Sequence, residues 1–286
     1  MDRLLEIDDL VLGFEGSGGV VPALRGISFG LDRGECLALV GESGSGKSVT
    51  GLTIMRLLGS NARIASGAIR FDGTDLLKLT ERGMREVRGR RIAMVFQNAK
   101  SSLNPIRRVG DTLVDIVRAH DRTGISRKAA LAKVIGIMDQ IGIPQAAERV
   151  RNYPAELSGG MCQRIGIAAA LACGPELIIA DEPTSALDVT TQQLVMDTLI
   201  SACRDRGVAV IFITHDLALA SEYCDRGIVM NNGRILEEGI ASQIFTAPSH
   251  PYTRALLDSL PYGKTSADEL KPMTGDFSGE PNGGGT

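Results

Sequence analysis

The 286-residue chain contains no tryptophan, and aromatic residues make up only 4% of it. So few rings exclude a base-stacking surface for single-stranded nucleic acid. Excess basic charge is also missing. Lys plus Arg number 31 against 34 Asp plus Glu, a formal net charge of -3, and that balance offers no electrostatic footprint for nucleic acid. No run approaches the roughly 18 apolar residues that a membrane-spanning helix needs. The opening "MDRLLEIDDLVLGFEG" has acidic residues where a secretory signal needs an apolar stretch. Cys36, Cys162, Cys173, Cys203 and Cys224 are odd in number, scattered, and form no CxxC pair. They read as free thiols in a reducing compartment, not as a disulfide frame or a zinc site. These absences point to a soluble cytoplasmic protein, or to one held at a membrane through something else.

What is present is material for an ordinary core, with 43% hydrophobic and 23% charged residues. The length suits one large domain or two small ones. Short apolar runs alternate with helical patterns. "CLALV" (36–40), "RIAMVF" (91–96), "ELIIAD" (176–181), "VAVIFIT" (208–214) and "GIVMN" (227–231) read as buried strands. "KSVTGLTIMRLL" (47–58) and "TTQQLVMDTLISACRDR" (190–206) read as helices. That alternation predicts an α/β fold with a largely parallel sheet. The opening "LLEIDDLVLGF" and "ISFGLDRGE" predict antiparallel strands instead. Between Gln97 and Leu157, "DTLVDIVRAH" (111–120) and "SRKAALAKVIGIMDQIG" (126–142) have helical spacing with no clear strand between them. A helical insertion over roughly 98–165 is expected, inside a domain spanning 1–262. The polar stretch over 263–286, rich in Gly, is expected to be a flexible tail. No internal repeat is visible.

"CLALVGESGSGKSVTGLTIMRLL" reads as strand, glycine-rich loop and helix, and Gly41, Gly46, Lys47 and Ser48 fit G-x-x-x-x-G-K-[ST]. Glycines let backbone N–H groups turn inward around phosphate oxygens, and the helix start adds partial positive charge. The loop Gly41, Glu42, Ser43, Gly44, Ser45, Gly46, Lys47, Ser48 and Val49 is the expected phosphate cradle. Lys47 is expected on the β- and γ-phosphates and Ser48 on Mg²⁺. "ELIIADEPTSALD" ends a buried strand in two adjacent carboxylates, which buried strands do not carry without a use for them. Asp181 can hold Mg²⁺ and Glu182 can take a proton from an attacking water. In "VAVIFITHD", His215 caps another buried strand, where it can meet the γ-phosphate or that water. His120 and His250 have no such context. A second loop of phosphate grade, "PAELSGGMCQR" (154–164), opens an apolar, Ala-rich run.

In order, the 41–48 loop, Gln97 after "IAMVF", "LSGGM" (157–161), "LIIADE" (177–182), "SALD" (185–188) and "ITHD" (213–216) resemble the ATP-binding subunit of an ABC transporter, from residue 4 to about 260. The resemblance implies a P-loop NTPase fold: a mainly parallel core sheet, an N-terminal antiparallel β subdomain and an inserted helical subdomain. It implies ATP and Mg²⁺ bound between two head-to-tail subunits. Ser158, Gly159 and Gly160 then face the ATP of the other subunit, and Asp188 lies at the dimer interface. Gln97 is implied to touch Mg²⁺ or the attacking water and to relay nucleotide state to a membrane subunit. Phe14 is implied to stack on adenine, the alternative being a core aromatic. Val49 and Met161 stand where the family often has a hydroxyl residue and Gln, and neither removes a catalytic group.

"VFQNAKSSLNP", "ADEPTSALDVTTQ" and "SHPYTRALLDSLP" narrow the resemblance to the oligopeptide/dipeptide permease branch, which also serves nickel and opines. It implies a second ABC ATPase subunit, usually a different chain, two transmembrane permease subunits, and a periplasmic or extracellular solute-binding protein. Peripheral placement on the cytoplasmic face of the inner membrane follows. Many members carry clustered cysteines near the C-terminus and some hold an iron–sulfur cluster. With no cysteine after Cys224, no cluster is expected. The five arginines of "ERGMREVRGRR" (81–91) read as a solvated face, the alternative being contact with the membrane subunit or lipid headgroups. Other classes remain alternatives. DNA-repair heads of this type carry long heptad arms, absent here. Translation-factor relatives carry two tandem heads. A non-hydrolysing regulatory subunit would not need Glu182 and His215.

Overall fold

The computed structural model describes residues 2–97, 99–185 and 187–259, so the expected tail over 263–286 lies outside the described residues. From the N-terminus, β1 (Arg3–Gly16) and β2 (Gly19–Asp32) form a long hairpin that leads into β3 (Cys36–Val40) and α1 (Lys47–Ile54). Strands β4 (Ala62–Phe71) and β5 (Thr74–Asp75) return to the hairpin, and α2 (Glu81–Val87) precedes β6 (Ile92–Val95). Helices α3 (Ala99–Ser102), α4 (Val109–His120), α5 (Arg127–Gln140), α6 (Ala146–Arg149) and α7 (Gly159–Leu171) follow without an intervening strand. The chain then alternates β7 (Leu177–Asp181), α8 (Val189–Arg204), β8 (Ala209–Thr214), α9 (Leu217–Tyr223) and β9 (Arg226–Asn231). It closes with β10 (Arg234–Ile240), α10 (Ala241–Ile244) and α11 (Pro251–Ser259).

Two sheets result. The antiparallel one runs β2-β1-β4-β5, and the other runs β10-β9-β3-β8-β7-β6. In the second sheet β10 is antiparallel to β9 and all other neighbours are parallel. The continuous apolar runs have a direct cause. Alternate residues of each strand serve two cores, so neither face can be polar. Cys36, Ala38 and Val40 join the core under the helices, while Leu37 and Leu39 join the one under the antiparallel sheet. Ile178 and Ala180 part from Leu177 and Ile179 in the same way.

Register decides where the site sits. Val40 pairs with Thr214, Ile213 with Asp181, and Ala180 with Val95. Strands β3, β8, β7 and β6 therefore end level, and their C-terminal ends form one edge, the usual ligand edge of such sheets. At the other end, Arg33 and Arg91 share two carboxylates. Arg33 meets Glu176 at 2.9 Å and Asp72 at 2.5 Å, and Arg91 meets the same pair at 2.5 and 2.7 Å. These ion pairs tie the antiparallel sheet to the chain entering β6 and β7.

Three details depart from the expectations. The helix from Lys47 ends at Ile54 rather than Leu58, because Arg56 turns left-handed (φ +50°) and its guanidinium donates to the Leu76 and Leu79 carbonyls. The strand β4 has no apolar run in its exposed first half, so nothing marked it. The arginine run is not a uniformly solvated face. Arg88 donates to the Met55 and Arg56 carbonyls at 2.7 and 3.0 Å and pairs with Glu81, while Arg91 belongs to the network above.

The segment "SHPYT" is tied to β10 through Glu237, and of its residues Tyr252 and Thr253 are buried. Glu237 accepts the Ser249 N–H and hydroxyl at 2.7 and 2.6 Å and the His250 N–H at 3.3 Å. Tyr252 is buried at the start of α11 with its phenol against the Glu42 backbone. Burial works to raise the Glu237 carboxyl, but hydrogen bonds from Ser249, Thr253 and His250 outweigh it and hold the group below its ordinary value near 4.5. A depressed carboxyl contributes stability above its unfolded value and loses it as the pH falls through the folded one. Glu237→Ala is expected to cost about 2–3 kcal/mol at neutral pH, the range for hydrogen bonds to a charged group plus the donors left unpaired. In urea titrations the gap from wild type should narrow as the pH falls below about 4.5; a gap independent of pH contradicts the assignment.

Candidate functional site

The loop after β3 is shaped by glycine. Gly41 (φ +147°) passes so close to the next strand that a Cβ there would lie 2.1 Å from the Met230 carbonyl oxygen. Gly44 and Gly46 have φ of +82° and +105°, which other residues rarely adopt. Glu42, Ser43 and Gly44 are exposed at the rim, while Ser45, Gly46 and Lys47 are buried. Among the described residues no side chain caps the start of α1, so the amides of Lys47, Ser48 and Val49 open the helix as donors for a ligand. The Val49 side chain packs into the core under the antiparallel sheet. The Lys47 ammonium donates to the Gly41 and Glu42 carbonyls at 2.8 and 2.7 Å and lies 3.3 Å from the Ser45 hydroxyl. Burial lowers its pKa, against the pull of Glu182, Asp181 and Glu42.

Three other strand ends supply the rest. The Ser48 hydroxyl donates to Asp181 Oδ1 at 2.9 Å. Burial raises the Asp181 carboxyl and the Glu182 charge adds to the rise, while Ser48 and Lys47 oppose it. Glu182 extends the ladder by one bond, its N–H donating to the Ile213 carbonyl at 2.9 Å, and then turns left-handed at φ +45°. That conformation costs a non-glycine residue about 1–2 kcal/mol. It sets the carboxylate between two partners: Gln97 Nε2 donates to Oε2 at 2.9 Å, and His215 Nδ1 lies 3.2 Å from Oε1. The edge therefore holds a cation, two carboxylates of different environment, and a His and an amide that hold one of those carboxylates. This set can bind a polyphosphate, hold a hard cation and accept a proton.

The second phosphate-grade loop lies elsewhere. Ser158 caps α7, its hydroxyl accepting the Met161 N–H at 3.3 Å. Ser158 and Gly159 are exposed and Gly160 is buried. Helix α7 packs against β6 at the sheet edge, whereas the Lys47 loop follows β3, with β8 and β7 between. Among the described residues no hydrogen bond joins Ser158, Gly159 or Gly160 to the Lys47 loop. Asp188 caps α8, accepting the Thr191 N–H at 3.0 Å, and remains exposed. Phe14 pairs with Val21 and Ala62 in the antiparallel sheet and is half-buried.

The family profile described as "ABC transporter" matches residues 24–185, more than half of the chain. The chain belongs to the ABC transporter family. A second profile, "Oligopeptide/dipeptide transporter, C-terminal region", matches residues 236–282. A probable peptide ABC transporter ATP-binding protein of Sinorhizobium fredii is 49% identical, over 91% of this chain and 77% of that one. The oligopeptide transport ATP-binding protein OppD of Bacillus subtilis is 45% identical, over 93% of this chain and 74% of its own. Among solved structures, the dimeric post-hydrolysis state of the ATP-binding cassette MJ0796 bound to ADP and Pi superposes with a TM-score of 0.75. It is 25% identical, over 83% of this chain and 99% of that one. The α/β fold with its antiparallel N-terminal sheet and helical insertion is that of an ABC ATPase.

Sequence reasoning passed over two neighbours of this site. Thr191 lies against the ABC signature: a Cβ at Gly160 would come 2.5 Å from Thr191 Cγ2. The only signal was that Gly160 falls on the buried side of its helix. Gln163, also buried, is polar on that same side. Gly160→Ala is expected to destabilise the chain by about 1–3 kcal/mol, as overpacking does. Adding Thr191→Ser, which removes Cγ2, should recover most of the loss. Thermal denaturation of the two single variants and the double variant checks this; additive losses contradict the contact.

Proposed function

We propose that this ABC ATPase is the ATP-hydrolysing subunit of a membrane importer that takes up peptides or a related small solute. The observation that carries the chemistry is the meeting of Lys47, Asp181, Gln97, Glu182 and His215 at one strand edge. ATP fits the loop: the Lys47 ammonium rests on carbonyls it can leave for phosphate oxygens, and the α1 amides carry no side-chain cap. Ser48, Asp181 and Gln97 offer oxygen donors only, which suit Mg²⁺; when bound, that ion neutralises charge on the β- and γ-phosphate oxygens.

Lys47 grips the β- and γ-phosphates. Glu182 accepts a proton from the attacking water, whose oxygen bonds to the γ-phosphorus as the bond from that phosphorus to the ADP oxygen breaks. His215 and Gln97 hold the Glu182 carboxylate from either side. Phe14 supplies a partly exposed ring for the adenine. Ser158, Gly159 and Gly160 complete the site of a second ABC ATPase subunit, and Asp188 lies beside them at the interface. The separation of α7 from β3 supports this, as does Val189, an apolar side chain 75% exposed next to Asp188. The heterodimer reading rests on the oligopeptide/dipeptide branch.

The peptide reading rests on the C-terminal profile and the relatives' names. On this reading the pair docks on two transmembrane permease subunits at the cytoplasmic face of the inner membrane, fed by a periplasmic or extracellular solute-binding protein. Among the described residues no helix is long and apolar enough to cross a membrane, so attachment falls to those subunits. Closure of the pair around ATP drives them, and hydrolysis reopens it. Glu182→Gln is expected to lower the hydrolysis rate at least ~100-fold, as loss of a general base does, with ATP binding retained. Phosphate release and equilibrium nucleotide binding, measured on the assembled pair, check this. Hydrolysis at the wild-type rate contradicts the role given to Glu182.

A further inference from the structure

Gln163 is the fifth residue of α7 and only 4% exposed, yet its amide serves none of its own helix. Its Nε2 donates to the Phe96 carbonyl at 3.2 Å, and its Oε1 accepts the Ala99 N–H at 3.3 Å. Phe96 lies just past the end of β6, and Ala99 opens α3, so both are backbone groups at element ends. The residues between them include Gln97, which holds Glu182 at 2.9 Å. One buried amide thus grips the chain on both sides of the residue that meets the proposed general base. The grip is close as well as polar: a Cβ at Gly166, one turn further along α7, would lie 3.1 Å from Ala99 Cβ.

We propose that Gln163 is a positioning residue for hydrolysis, locking Gln97 to the signature helix so that the two move as one body. This rests on the hydrolytic reading above and adds a link to it. Helix α7 begins at the residues assigned to the second subunit's ATP, and Gln97 belongs to this chain's own site. Any shift of α7 as the pair closes is therefore delivered to Gln97, and through it to Glu182. The two partners have opposite polarity, so only a group that donates at one end and accepts at the other can satisfy both. A carboxylate satisfies the Ala99 N–H alone. A thioether of similar shape satisfies neither.

The test compares Gln163→Met and Gln163→Glu with wild type, using the full chain in its assembled pair. Glu182→Gln runs alongside. In Gln163→Met, kcat should fall about ten-fold, the scale expected when a positioning contact is lost, while the ATP dissociation constant stays within about two-fold. Gln163→Glu should fall between Met and wild type. Amide exchange at Ala99 should speed up about ten-fold in Gln163→Met and stay protected in Gln163→Glu, because only the latter keeps that bond. If Gln163→Met does not fold, kcat and exchange in Gln163→Glu decide alone. The proposal is overturned if kcat is unchanged, if Ala99 exchange does not speed up in Gln163→Met or does speed up in Gln163→Glu, or if ATP binding falls in step with kcat. A wild-type rate in Glu182→Gln overturns the hydrolytic reading instead, so the two failures are separable.

Discussion

Lys47 is 6% exposed, and a buried charge must be solvated by something other than water. In this chain the loop does it: two carbonyls and a hydroxyl of residues 41 to 45 surround the Nζ. Those carbonyls can turn inward only because Gly41 leaves no Cβ to meet Met230. The loop is therefore folded around its own cation and can exchange carbonyl for phosphate without opening the core. Asp181, raised by burial, and Glu182, turned left-handed, are held against that cation by strands whose register brings all their ends level. Shift β7 by one residue against β8 and both carboxylates exchange faces.

The rest of the fold keeps that edge aligned and linked. Arg33 and Arg91 share Asp72 and Glu176 at the opposite end, fixing the antiparallel sheet to the chain entering the parallel one. Glu237 folds the C-terminal segment back so that Tyr252 reaches the Glu42 backbone behind the phosphate loop. The signature helix holds both flanks of Gln97 through Gln163. Two remote parts of the chain, at Tyr252 and Gln163, thus meet the site through backbone groups, while the arginine network holds the far end by ion pairs.

Much of this was legible in residue order because strand ends and function coincide. A buried run that closes in Asp-Glu, or in Thr-His-Asp, announces its own exception to burial, and Gly41 to Ser48 carries its geometry in its glycines. The less legible parts share a physical cause. The strand β4 begins with exposed residues and owes its pairing to β1, so no local pattern marks it. The early end of α1 depends on where the Arg56 guanidinium finds carbonyls 20 or more residues away. Arg88 and Arg91 look like surface charge until their partners are placed. Gln163 acts on backbone atoms, which leave no trace in the identity of the residues it holds, and the Glu237 partners Ser249 and His250 lie more than ten residues away.

The central claim is that the site is shared, with this chain's signature loop serving another subunit's nucleotide. Placing an aspartate at Gly159 tests it most directly, because Gly159 is exposed at the start of α7 and a Cβ there comes no closer than 3.6 Å to any neighbour, Leu187 Cδ2. The measurement is ATP binding and hydrolysis assigned to each chain of the pair separately, with Gly159→Asp in this chain only. Hydrolysis at the partner's loop should fall while this chain's own ATP binding at Lys47 stays near wild type. Loss of binding at this chain's own loop, with the partner's hydrolysis intact, would contradict it.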